Sequence, residues 1–313
     1  MMPGSWSKVL LTGATGFIGT HLVKRMVISG YDLTAFMLPG EDSLLSPGVK
    51  PINGDIADSA AVFSAVQASQ PELIIHLASA GVTDPGLSMM ESCRVNVAGA
   101  IHILEAARNL PAIKRLIMVG SAFEYGSRRS DDLLDPFSAY GASKTAAWAY
   151  ARAAFNAWGL PVVWVRPFQV YGPGQPAKTL IPCAIQAALN HRDFSMTAGA
   201  QQRDFIYIDD LIDGLVATVS AENIEGRTLD IGTGTLTPLL DVIHHIWELT
   251  GAQGRILAGA LPYRMGEVPA LAANVLRTRL LLNWEASVPL LQGLRWTIDD
   301  LNNSMQNKTA EAL

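Results

Sequence analysis

Three glycines near the start of the chain constrain its fold more than any other feature. Lys8-Val9-Leu10-Leu11 is a short apolar run of strand type, followed by Thr12-Gly13-Ala14-Thr15-Gly16-Phe17-Ile18-Gly19. From His21 to Val27 the apolar residues recur with helical periodicity. In this spacing Gly13 permits a tight turn, Gly16 lets a pyrophosphate approach the backbone, and Gly19 lets the helix close on the strand. The positive N-terminal end of the helix then faces the phosphates. A strand before the turn and a helix after it separate this fingerprint from an ordinary Gly-rich loop.

The chain keeps the rhythm that such a start requires. Apolar runs at Leu33–Met37, Leu73–Leu77, Leu116–Val119 and Val162–Val165 are separated by segments of helical length. That alternation predicts an α/β fold, a doubly wound parallel sheet with crossover helices. Past Tyr171 the rhythm breaks at the Pro/Gly-rich stretches around Gly172–Pro176 and Gly199. The expected organisation is a dinucleotide-binding domain over 1–170 and a smaller C-terminal cap from 171–204 and 236–313. Residues 205–235 return to the first domain, with Phe205–Asp210 and Leu229–Ile231 in its sheet. The polar residues from Asn302 onward are expected to fray.

Composition narrows the class. A chain of 313 residues with 49% hydrophobic content supports a core and a cap. A net charge of -5 without a basic cluster gives no electrostatic case for nucleic acid. No charge-free apolar stretch of ~20 residues occurs, so no membrane span is expected. Met1 to Ser7 lack the charged and apolar regions of a secretory signal, which makes the cytoplasm the default location. Cys93 and Cys183 are far apart in sequence and read as buried structural thiols, not as a disulfide or a zinc site.

The chemistry concentrates in Tyr140-Gly141-Ala142-Ser143-Lys144. On a helix, a spacing of four puts Tyr140 and Lys144 on one face, one turn apart. A phenol ordinarily holds its proton to about pH 10. A nearby ammonium favours the phenolate and pulls that value towards neutrality, as a general acid/base needs. Ser121 follows the apolar run Leu116–Val119, so its hydroxyl should emerge at the carboxyl edge of the sheet.

Further pieces occur in a fixed order: Gly54-Asp55-Ile56, His76-Leu77-Ala78-Ser79, Asn96-Val97-Ala98-Gly99, and Gly120-Ser121 followed by Tyr125-Gly126. Later come Arg166-Pro167-Phe168, Val170-Tyr171-Gly172-Pro173-Gly174, Arg203-Asp204-Phe205-Ile206-Tyr207-Ile208-Asp209-Asp210, Arg264-Met265-Gly266-Glu267 and Gly293-Leu294. Together with the glycine turn and the Tyr/Lys pair, they resemble the extended short-chain dehydrogenase/reductase family over about Lys8 to Leu301. Within it the chain is most similar to the NAD-dependent epimerase/dehydratase group that modifies nucleotide sugars.

The resemblance implies a Rossmann-type fold with Tyr140 as acid/base, Lys144 lowering its pKa and binding the nicotinamide ribose, and Ser121 orienting the substrate. It implies cofactor contacts from Gly13, Thr15, Gly16, Phe17, Ile18 and Gly19. Others are implied from Asp55 and Ile56, from Leu77, Ala78 and Ser79, and from Asn96, Tyr140, Lys144 and Phe168, with Asp55 accepting from the adenine amino group. His76 is read as core support. Arg203 and Arg264 match the arginines that grip a substrate pyrophosphate, for which bidentate guanidinium suits. Gln169 stands where an asparagine is common and reaches one methylene further towards the substrate.

Family dehydratases carry an acid pair directly after the Ser/Thr, and here those positions are Ala122 and Phe123. Glu124 comes one residue too late, so dehydration is disfavoured. The acid that holds the adenosine ribose hydroxyls and selects NAD is replaced by Met37, which favours NADP over NAD, although Leu38 supplies no arginine and only Lys24 or Arg25 is near in sequence. The expected function is an NAD(P)-dependent reductase of a 4-keto-6-deoxy sugar nucleotide. The alternative is a nucleotide-sugar 4-epimerase, and a more distant one is a non-catalytic NAD(P)-sensing protein. The expected partners are a nucleotide-diphosphate sugar and a second copy of the chain. A homodimer would pack through the Tyr/Lys helix at Ala146, Ala147, Ala151 and Ala153.

Overall fold

The computed structural model describes residues 7–82, 84, 86–126, 134–263 and 267–311. The chain opens β1 (Lys8–Thr12), α1 (Phe17–Ile28), β2 (Asp32–Met37), β3 (Lys50–Asn53), α2 (Ser59–Ser69) and β4 (Leu73–His76). It continues through α3 (Met89–Ser92), a wide π turn at Cys93–Ala98, α4 (Gly99–Arg108), β5 (Arg115–Val119), α5 (Ala139–Trp158) and β6 (Val162–Pro167). Next are β7 (Gln169–Tyr171), α6 (Leu180–Leu189), β8 (Phe194–Met196), β9 (Gln202–Tyr207), α7 (Ile208–Ser220) and β10 (Thr228–Ile231). The last elements are β11 (Leu236–Pro238), α8 (Leu239–Thr250), β12 (Ile256–Ala258), β13 (Ala270–Leu271), α9 (Val275–Leu282) and α10 (Leu290–Glu311).

Seven parallel strands form the main sheet in the order β10-β6-β5-β4-β1-β2-β3. Apart from the exposed edge strand β3, its strands are largely buried on both faces, as helix-covered parallel strands must be. Along β4, Leu73 and Ile75 enter one core and Ile74 the other. The strand order reverses between β1 and β4. Ligands of open α/β sheets bind at such a point, beyond the carboxyl ends of the strands.

The runs expected as strands lie in strands with ends differing by one or two residues, except that residues 208–210, expected in the sheet, open α7. One expectation is corrected. Phe205–Tyr207 does not rejoin the main sheet; β9 pairs with β7, β11 and β13 in a second, smaller sheet. The chain has already left the main sheet at Phe168, so β7 carries the pairing away and only β10 returns to lie beside β6. Asp204, fully buried, fastens this region: its carboxylate accepts from Thr233 N (2.8 Å), Thr233 Oγ1 (2.7 Å), Gly234 N (2.8 Å) and Ala273 N (3.1 Å).

Two smaller expectations also change. The segment from Asn302 stays helical to Glu311, because Leu294, Ile298 and Leu301 repeat at helical spacing and pack on the core. The cysteines are not buried: Cys93 is exposed on the π turn and Cys183 is half-buried, its thiol donating to Ala177 O.

Candidate active site

Gly13, at φ +72°, makes the turn that no residue with a Cβ would tolerate, since that atom would lie 2.7 Å from Ala78 N. A Cβ on Gly19 would lie 2.0 Å from Gly13 O, so Gly19 is fixed by helix-to-strand contact. Gly16 differs, because a Cβ there would meet only Gly13 O, at 3.5 Å. The chain's own packing does not demand a glycine at 16; the space above it is open, as a phosphate approaching the backbone requires. Gly16 is also the N-cap of α1, without a side-chain cap and with no acid in the first turn. This cradle fits a dinucleotide pyrophosphate on the chain's own geometry.

The neighbouring strand end completes the floor. Thr12 Oγ1 contacts His76 Nδ1 at 2.7 Å and accepts from Ala78 N at 3.1 Å, joining the ends of β1 and β4. Asn96, 2% exposed, accepts from Ala80 N (2.7 Å) and donates to Ala80 O (2.9 Å) and Ser143 Oγ (2.8 Å). It therefore clamps the loop after β4, which carries Leu77, Ala78 and Ser79, to α5. Asp55 accepts from Ala57 N and from the Arg94 guanidinium, each at 2.9 Å, and both bonds hold its carboxyl below the usual range. Ile56 is buried against Gly99 of α4.

The chain places Ser121, Tyr140 and Lys144 together. Ser138 caps α5 by accepting from Gly141 N at 3.0 Å, which puts Tyr140 in the first turn and Lys144 one turn on. Gly141 lets that turn touch the segment after β5; a Cβ there would lie 2.5 Å from Phe123 O. The Tyr140 hydroxyl lies close enough to the side chains of Ser121 and Ser79 for both to favour its ionised form. Lys144, 3% exposed, donates from Nζ to Val119 O at 2.8 Å and sits 6.0 Å from the Tyr140 ring centroid.

The electrostatics differ from the expectation. Burial dominates both groups, pushing the Tyr140 phenol up to about 12 and the Lys144 ammonium down to about 8. Lys144 is turned towards a backbone carbonyl, so in the chain alone it does not draw the phenol towards neutrality. The nearby Glu124 carboxylate raises both values.

Glu124 belongs to a buried network that sequence reasoning missed. Wholly inaccessible, it accepts from Ser121 N (2.8 Å), Trp164 Nε1 (3.1 Å) and Arg166 Nε (2.7 Å). Arg166 also donates to Tyr125 Oη at 3.0 Å, and Tyr125 donates to the Asp230 carboxylate at 2.8 Å. Gly120 makes room for it; a Cβ there would lie 2.1 Å from Glu124 Oε1. The signal was legible in part: Ser121 and Glu124 have the spacing of a capping box, and both of its bonds form.

On the cap side, Phe168 is buried against Tyr125, and Gln169 opens β7 half-buried. Arg203 is 6% exposed; its Nη1 donates to Gln202 O and Val268 O, each at 2.8 Å, and its Nη2 pairs with Glu267 at 2.5 Å. Arg264 lies outside the described residues. Ala147 and Ala151 face the chain's own core, so they cannot line a contact between copies; Ala142, Ala149, Ala153 and Ala157 are the exposed alanines of α5.

Residues 9–232 match the NAD dependent epimerase/dehydratase family. The chain is 28% identical to a UDP-N-acetyl-alpha-D-glucosaminuronate decarboxylase of Bacillus cytotoxicus, over 93% of this chain and 96% of that one. It is 27% identical to a UDP-glucose 4-epimerase of Mycolicibacterium smegmatis, over 96% and 100%. Among solved structures, MoeE5 in complex with UDP-glucose and NAD superimposes with a TM-score of 0.86 at 31% identity, covering 96% of this chain and all of that one (100%). With a phosphate cradle at the strand-order reversal and a match over that length, the chain belongs to the NAD dependent epimerase/dehydratase family.

Proposed function

We propose that this protein is a nucleotide-sugar 4-epimerase that uses NAD and regenerates it in each cycle. One observation carries the reading: Glu124, the carboxylate three residues after Ser121, is sealed in the network behind the site and saturated by three donors. What remains in front of it is the Ser121, Tyr140, Lys144 set, which suffices for reversible oxidation of a sugar hydroxyl. Ser121 orients that hydroxyl, Tyr140 takes its proton and returns it, and Lys144 holds the ribose side of the site. When bound, an oxidised nicotinamide supplies the hydride acceptor and a positive charge that favours the Tyr140 phenolate.

The reductase expectation rested on NADP and on the missing dehydratase acids. The first ground weakens, because Glu41 Oε2 accepts from Thr15 Oγ1 at 2.7 Å and returns an acid to the adenosine side. UDP-sugars are the substrate class favoured by the relatives' names. Arg203 and Arg264 remain the proposed grips for the pyrophosphate, and a cytoplasmic homodimer remains the proposed state. Among the described residues no helix is long and apolar enough to cross a membrane.

The test is to incubate the protein with NAD and UDP-glucose, UDP-galactose or UDP-glucuronate, with chromatography of the sugars and absorbance at the reduced-nicotinamide band. Interconversion of 4-epimers without net change in absorbance is expected. Stoichiometric consumption of reduced cofactor with a 4-keto sugar would instead establish the reductase.

A further inference from the structure

We infer that Glu41, outside the usual position at the end of the second strand, is the residue by which this chain selects NAD over NADP. The inference rests on the cofactor reading above. In a doubly wound sheet the adenosine ribose lies between the glycine turn and the end of the second strand, where an acid ordinarily receives its hydroxyls. Here that strand ends at Met37, 4% exposed and part of the core, so its side chain cannot do so.

The loop that follows compensates. Gly40, at φ +91°, takes a left-handed conformation and turns the chain back. Glu41 then reaches the glycine turn and accepts from Thr15 Oγ1 at 2.7 Å, a bond across 26 residues of sequence. Thr15 stands between Gly13 and Gly16 in the phosphate cradle, so this carboxylate lies beside the adenosine half of the site.

Of the two basic residues considered above, Lys24 is exposed on α1 and Arg25 is committed elsewhere. Arg25 pairs with Asp213, between α1 and α7. Leu38, half exposed at 50%, offers no charge. Asp42 adds a second carboxylate to the loop, held by Asn53 Nδ2 at 3.1 Å. A ribose hydroxyl can donate to Glu41, whereas a 2′-phosphate would meet like charge.

The experiment measures dissociation constants of NAD and NADP, and of ADP-ribose with and without a 2′-phosphate, by calorimetry at low and high salt. Wild type should bind the unphosphorylated form of each pair at least about tenfold more tightly at low salt, and less selectively at high salt. Glu41→Gln keeps an acceptor for Thr15 but no charge, and should narrow the ratio by about tenfold, chiefly by tightening the phosphorylated ligands. Glu41→Arg should reverse the preference. An unchanged ratio in Glu41→Gln overturns the assignment while leaving the cofactor reading intact, whereas a wild-type preference for NADP overturns both. Failure of wild type to bind any of the four ligands overturns both.

Discussion

Acidification from pH 7 to 5 should destabilise this protein largely through one residue, His76. It ends β4 at 3% exposure, in contact with Thr12 Oγ1 at 2.7 Å and near the Lys144 ammonium. Burial first, and the Lys144 charge second, depress its pKa from 6.5 to about 3. Below pH 6.5 the unfolded chain binds a proton at this position, and the folded chain does not until about pH 3. Stability therefore falls as pH drops through that window, by about 1.4 kcal/mol per pH unit. Over the whole window the loss from this group is on the order of 5 kcal/mol, and between pH 6.5 and 5 it is about 2 kcal/mol.

His76→Gln removes the titration and keeps a side chain able to accept from Thr12. The measurement is urea unfolding of wild type and variant at pH 7 and pH 5. The other five of the six histidines, and the carboxylates, are common to both proteins and cancel in the double difference. Wild type should lose about 2 kcal/mol more than His76→Gln on acidification. Equal losses, within about 0.5 kcal/mol, would show that His76 is protonated in the fold and that burial does not control it.

Tyr140→Phe should lower turnover by about a hundredfold or more with the melting temperature nearly unchanged, because only the hydroxyl that exchanges the proton is lost; near-normal turnover would remove Tyr140 from the mechanism. Arg203→Ala should weaken UDP binding roughly ten- to hundredfold, the worth of one charge-assisted contact. An equal effect on NAD would mark the arginine as purely structural, a role its bonds to Glu267 and Val268 O already suggest in part. Glu124→Ala should cost about 3–5 kcal/mol in urea unfolding, since it leaves the Arg166 guanidinium, 5% exposed, without its partner; a loss under about 1 kcal/mol would refute that account.

The sheet was legible because a parallel strand buried on both faces must be an apolar run, and the runs at Leu73, Leu116 and Val162 have no other use. The glycine turn was legible through its local spacing: Gly19 answers to a steric contact with Gly13 six residues earlier, whereas the contact that fixes Gly13, with Ala78 beyond β4, was not. Phe205–Tyr207 looks the same in sequence as a main-sheet strand, and its true partner is decided by where β7 leads the chain. The tuning of Tyr140 was misread because spacing reports that Lys144 is near, and says nothing of burial or of a competing carbonyl. Glu41 was invisible because its contact depends on the turn at Gly40, not on a motif position.

Glu124 shows how the same residue type changes meaning with its surroundings. A carboxylate near the substrate serves as an acid only if it can reach a leaving group and carry a proton there. Burial does raise its pKa, which taken alone would suit a proton donor. Its oxygens, however, already accept from Ser121 N, Trp164 Nε1 and Arg166 Nε, and none of its surface is accessible. Arg166 in turn is held by Tyr125, and Tyr125 by Asp230 on β10, so the cluster joins the end of β5 to the edge strand of the sheet. What it fixes is the Ser121 backbone, and with it the direction of the hydroxyl that meets Tyr140. Among the described residues, the substrate proposed above would therefore meet the serine that Glu124 positions and not the Glu124 carboxylate itself.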